Sequence, residues 1–206
     1  MNMKKKLVTV CLVACMAVTA VAGGTLAYFT DKTEDKINTF TVGNVTIALT
    51  EPRWTDAGYD DTDPVLKPKA EIAKDPTITV NEDSQDAWVF VEVAIGDKFN
   101  SLMDNYAGTA GQEDNAQLAA WTDGINDGWV YMGTQDNKLV YGYNTALKAT
   151  EKATLFDNIK VPEGLTSEEV EKATGTNTTL TITGAAIQAD GIASSADAYT
   201  ALYEAE

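Results

Sequence analysis

The segment AWVFVEVAI, residues 87–95, constrains the fold more than any other part of the chain. Side chains along a strand point alternately to opposite faces. Val89, Val91, Val93 and Ile95 therefore share one face, and Trp88, Phe90, Glu92 and Ala94 share the other. Both faces begin apolar. A strand that is wet on one side alternates apolar with polar residues, so this one belongs in the middle of a sheet or beneath another element. Trp88 and Phe90 read first as core, with a binding surface as the alternative.

Further strands follow from the same period-2 rule. In NVTIALT (44–50), Val45, Ile47 and Leu49 alternate with Thr46, Ala48 and Thr50. TITV (77–80) is short but strand-like. The turn signal Asn126-Asp127-Gly128 precedes WVYM, and GTQDNK turns the chain into LVYGY, which together predict a hairpin. Residues 152–161, KATLFDNIKV, and 178–188, TTLTITGAAIQ, complete the strands. Residues 51–69 read as loop, with three prolines and a cluster of acids, and 97–121 as an excursion with short helical pieces. Thr166 and Glu169 have capping-box spacing ahead of a short helix at 167–174, and SADAYTALYEA closes the chain as another. The expected fold class is all-β: a jelly-roll-like two-sheet β-sandwich with short helical insertions, in one domain.

The first 27 residues read differently. Lys4, Lys5 and Lys6 precede an apolar run at 7–21, small residues follow, and Thr25-Leu26-Ala27 fits a small-x-small cleavage site. The expectation is an export signal, residues 1–27, cut between Ala27 and Tyr28. A retained membrane anchor is the alternative, although the run is shorter than the roughly 20 residues a span needs. Both cysteines, Cys11 and Cys15, lie in that run. Lipidation at Cys15 is a further alternative, but the apolar run continues past it, whereas a lipoprotein box closes such a run. Cleavage would remove three lysines and no acid, taking the net charge from −16 to −19 and leaving no cysteine for disulfides. That acidity argues against nucleic acid and against anionic membrane surfaces as partners.

The chain has no histidine. Zinc sites of the H-E-x-x-H kind need two imidazoles on one helix face, and Ser-His or Cys-His catalysis needs a base near neutrality. Neither can be built, and no phosphate-binding glycine loop is present. The expectation is a protein that is not an enzyme. Asp56, Asp60, Asp61 and Asp63 form the one metal-like cluster. Their hard oxygens in a loop suit weak Ca²⁺ binding, against the plainer reading of a solvated acidic loop. No other cofactor is expected.

The order of motifs carries a resemblance. GGTLAYFTD is followed by NTFTVGNVTIAL, then by LKPKAEIAKDPTITVNEDSQDAWVFVEV. This resembles the TasA and camelysin (CalY) family of secreted Gram-positive proteins. The matching positions are Gly24, Thr25, Ala27, Phe29, Thr30, Asp31, Phe40, Gly43, Val45, Ile47 and Leu49. The likeness is strongest over residues 1–95. It implies processing by a SipW-type signal peptidase, a fold similar to a jelly roll, and the building of extracellular biofilm-matrix fibres. In such fibres the segment freed by cleavage leaves its own subunit and completes a sheet in the next. The camelysin branch is also described as a metalloprotease family, from which this chain departs by lacking every histidine.

The expected organisation is thus a signal at 1–27, a donor-strand candidate at 28–36 with Tyr28, Phe29 and Ile37 as apolar anchors, and a sandwich at 37–206. The expected partners are further copies of the chain, head to tail, the signal peptidase, and an accessory matrix protein. The alternative is a non-polymerising secreted surface protein, an adhesin or accessory matrix component, with a secreted hydrolase as the third reading.

Overall fold

The computed structural model describes residues 30–32, 44–60, 64–173 and 178–205. Among them are ten strands: β1 (Thr30–Lys32), β2 (Ile47–Thr50), β3 (Glu71–Ala73), β4 (Thr77–Val80), β5 (Ala87–Ile95), β6 (Trp129–Gln135), β7 (Lys138–Tyr143), β8 (Lys152–Thr154), β9 (Asn158–Lys160) and β10 (Leu180–Gln188). Five α-helices accompany them: α1 (Pro52–Asp56), α2 (Asp97–Asn105), α3 (Asp114–Ala120), α4 (Ser167–Ala173) and α5 (Ser195–Tyr199). The last runs into a π-helical turn, Thr200–Glu204.

The strands make three open antiparallel sheets. One has the order β1-β10-β5-β7-β6, one β2-β4-β8 and one β3-β9. This corrects the expectation of an all-β jelly-roll sandwich. The fold is mixed α/β, its sheets do not close on one another, and helices supply much of the core.

The segment 152–161 shows why the all-β reading fails. As one strand, it would send Leu155 and Phe156 to opposite faces. Both are fully buried in the same core cluster, which requires the chain to bend there. Asp123 fixes the bend: its Oδ1 accepts the backbone N–H groups of Asp157 at 3.0 Å and Asn158 at 3.1 Å. The segment therefore splits into β8 and β9, which join different sheets.

β5 lies between β10 and β7. Val89, Val91 and Val93 bury against Ile47, Ile78 and Val80 of the three-stranded sheet. Trp88 and Phe90, on the other face, pack under Ala198 and Tyr199 of α5. A third cluster joins Phe99, Leu102 and Met103 of α2 to Trp121, Ile72 and Ile159, beside the β3-β9 pair.

Local signals place several boundaries. Asp136 and Asn137 both have positive φ, 50° and 61°, as a two-residue hairpin turn between right-twisted strands requires. β6 runs through Gln135, so the turn is shorter than the GTQDNK stretch suggested. The capping box before α4 is formed: Glu169 N–H donates to Thr166 Oγ1 at 3.2 Å and Thr166 N–H to Glu169 Oε2 at 2.7 Å. α1 and β3 were not expected from the sequence. α1 starts at Pro52, whose fixed φ suits a first helical position.

Candidate functional site

The outer edge of β10 is where the N-terminal segment meets the rest of the chain. β1 pairs antiparallel with it, Thr30 opposite Ile187, Asp31 opposite Ala186 and Lys32 opposite Ala185. The three β10 residues are 0% exposed. Ala186 faces the core shared with the three-stranded sheet, while Ala185 and Ile187 face the cluster beneath α5. β1 covers only the C-terminal part of a nine-residue strand. Among the described residues, no strand is registered on that side against residues 180–183.

β10 is held firmly on its other side, where all nine of its residues are in register with β5. A strand paired along its whole length on one side thus carries, on the other, a three-residue edge strand with a polar sequence, TDK. Three residues form few ladder hydrogen bonds, each worth about 0.5–1.5 kcal/mol net. Positions 33–46 separate β1 from β2. At about 3.3–3.6 Å per residue, that connection can span roughly 50 Å, so the chain is long enough for β1 to reach beyond its own sheet.

Of the site residues expected from sequence, Ala27, Tyr28, Phe29 and Ile37 lie outside the described residues, as do Asp61 and Asp63. Asp56, at the end of α1, and Asp60 are exposed. Sequence reasoning missed Ala185, Ala186 and Ile187, the β10 residues paired with β1. The available signal was GAAI within 178–188, an unbroken apolar run on both faces of one strand.

A polar clasp ties the N-terminal part of the chain to the β8–β9 bend. Arg53 donates to Asn158 Oδ1 at 3.0 Å and to the Asp157 carbonyl at 3.2 Å, and its backbone N–H donates to Asp75 Oδ1 at 2.9 Å. Lys74 is buried, paired with Glu51 at 2.7 Å and set 4.8 Å from the Trp54 ring centroid. Asp123 anchors the clasp. Burial pushes its carboxyl up, but the N–H groups of Asp157 and Asn158 and the Asn158 amide outweigh that and hold it below the ordinary carboxylate value.

A second polar group sits under the C-terminal helical strap. Glu92 is 4% exposed. Lys138 Nζ donates to its Oε2 and the Tyr203 hydroxyl to its Oε1, both at 2.9 Å. Burial and that carboxylate keep the Tyr203 hydroxyl protonated far above its usual range.

A family model described as camelysin metallo-endopeptidase matches residues 2–80. No curated protein and no solved structure matches the chain. The matched region runs from residue 2 to the end of β4, so it includes β1 but not β10, with which β1 pairs. Among the described residues, no ligand set for the metal named in that description is present. The chain has no histidine, and the described residues contain no group of three His, Cys, Asp or Glu able to hold a metal. Both Asp123 oxygens are already taken by N–H donors. No metal-dependent step can be assigned to these residues. The N-terminal 2–80 region, carrying the strand that docks on β10, is similar to the camelysin family.

Proposed function

We propose that this chain is an exported matrix subunit, TasA-like in action, whose N-terminal segment completes the sheet of a neighbouring copy. The observation that carries this reading is the pairing of Thr30–Lys32 with the edge of β10. Those residues lie inside the 28–36 segment that the sequence marks as a donor strand. In this reading a SipW-type peptidase cuts between Ala27 and Tyr28 and releases the segment outside the cell, in the matrix or at the surface. Tyr28, Phe29 and Ile37 then act as apolar anchors, each aromatic worth roughly 1.5–3 kcal/mol when buried. Strand addition supplies affinity through the backbone and specificity through alternate side chains.

Exchange keeps the same contacts whether the segment docks on its own β10 or on a neighbour's, so the swap costs little. A head-to-tail contact of this kind does not close and yields a filament. The charge of −19 opposes it, and salt screens that repulsion beyond about 8 Å. Assembly is therefore favoured by salt, by acid and by divalent cations. Catalysis has no part in this reading, and an accessory matrix protein is its expected second partner.

The alternative is a non-polymerising secreted surface protein. It is favoured by the same pairing taken at face value, since β1 docks on the chain's own β10. Size-exclusion chromatography of the chain beginning at Tyr28 separates the two. Polymer that disappears when residues 28–36 are deleted supports the first reading. A monomer across salt and pH supports the second.

A further inference from the structure

β1 fixes a register along β10. Thr30, Asp31 and Lys32 stand opposite Ile187, Ala186 and Ala185. Antiparallel partners advance one residue on one strand for each residue back on the other. Carried past Lys32, the same register would set Glu34 against Thr183, Asp35 against Ile182, Lys36 against Thr181 and Ile37 against Leu180. Ile37 is the one apolar side chain in residues 30–37, TDKTEDKI. Leu180 is the half-buried end of β10, packed against the clusters on both sides of Ile95. The register thus matches the segment's apolar residue to the apolar end of the edge. Asp35 would fall on the face where Asp31 already lies opposite the fully buried Ala186.

Chain length decides who can make that match. After Ile37 the chain must return to Asn44, whose carbonyl accepts the Gln85 N–H at 2.9 Å. Gln85 lies beside the C-terminal end of β10, where Ala87 pairs with Gln188 and the Asp86 carbonyl accepts the Ala189 N–H at 2.8 Å. Leu180 is at the far end, opposite Ile95. Ile95 lies ten residues after Gln85, which is about 33 Å at the rise of a strand. Ile37 is seven residues before Asn44, so the link between them spans at most about 25 Å. Within one chain, Ile37 falls roughly 8 Å short of Leu180. Lys32 meets no such limit. Its partner Ala185 lies opposite Phe90, only about 17 Å along β5 from Gln85, and its twelve-residue link reaches about 43 Å.

We infer that the β10 edge at Leu180–Thr183 is an acceptor surface for residues 34–37 of a second copy, because the chain's own segment is too short to cover it. This role rests on the donor-strand reading and adds a register and a driving force to it. A segment arriving from another copy is not tied to this copy's Asn44, so it can run the length of the edge and seat Ile37 on Leu180. Exchange then gains pairing that a monomer cannot make. The short link at 38–43 sets the balance, as short hinges do in swapped assemblies.

Engineered disulfides read both the register and the source of the segment. The chain beginning at Tyr28 has no cysteine of its own, and directly opposed strand residues lie at Cα separations a disulfide accepts. Ile37→Cys with Leu180→Cys in one chain is expected to give disulfide-linked oligomers on non-reducing gels and no link within a chain. Lys32→Cys with Ala185→Cys reports whether the segment crosses between copies at all. Links between copies at 32–185 but not at 37–180 overturn this inference and leave the donor-strand reading standing. A link within one chain at 37–180 also overturns it. No link between copies at either pair overturns both. Should the 37–180 variant fail to fold, six Gly and Ser residues inserted after Asn38 decide the matter. They lengthen the link by about 20 Å, enough for Ile37 to reach its own Leu180. The concentration needed for self-association, read by light scattering, is expected to rise about tenfold. An unchanged or lower concentration overturns the inference.

Discussion

Replacing Lys138 by methionine takes the cation away from a carboxylate that the fold buries. Glu92 is 4% exposed and keeps the Tyr203 hydroxyl 2.9 Å from Oε1. Removing one partner of a fully buried ion pair costs about 3–5 kcal/mol, mostly through the charge left behind. Here the Lys138 side chain is 37% exposed, so solvent already screens part of the attraction. With Tyr203 still donating, the expected loss for Lys138→Met is about 2 kcal/mol at pH 7. That corresponds to a fall of roughly 4–8 °C in melting temperature for a chain of this size. Glu92→Gln retains an acceptor for Tyr203 and leaves a half-exposed lysine, so about 1 kcal/mol is expected. The double variant Glu92→Leu, Lys138→Met removes both charges and should lose less than the sum of the single changes, with a coupling of about 1–2 kcal/mol. Urea unfolding followed by circular dichroism measures all of these. A deficit under about 0.5 kcal/mol at pH 7 would refute the reasoning.

Two further predictions concern the clasp and the strap. Asp123→Ala should cost about 1–2 kcal/mol at neutral pH, since it frees the N–H groups of Asp157 and Asn158. The folded state holds Asp123 below its ordinary value, so its contribution is present above the unfolded value near pH 4 and is lost as pH falls through the folded one. Parent and variant should therefore converge in acid urea melts. Gly142→Ala should destabilise by about 1–3 kcal/mol in thermal melts, because its Cβ would lie 2.9 Å from both the Phe90 ring and Ser195 Oγ.

How much was legible in the sequence depended on whether local pattern and tertiary context agreed. β5 was legible because both of its faces are apolar, which only a central, covered strand tolerates. The start of α4 was legible because the capping box is a local bond pair. The split between β8 and β9 was not. Its cause is Asp123, which is 34 residues upstream of Asp157 and reaches the bend only in the folded chain. β3 is three residues long and owes its existence to pairing with β9 rather than to its own pattern. Without those two facts the strand count pointed to a closed sandwich. The same limit hid the acceptor: TDK has no strand signature, and only β10 makes it a strand. The bulge at Met132 was equally silent, since WVYM reads as plain alternation and the extra residue appears only against β7.

In the proposed function the segment after Ala27 pairs with the β10 edge of another copy. Electron microscopy of the chain beginning at Tyr28, beside the same chain lacking residues 28–36, tests it most directly. Filaments are expected in the first at physiological salt and none in the second, with both chains melting cooperatively. Filaments of unchanged number and form after the deletion, or none in either chain at any salt or pH, would contradict it.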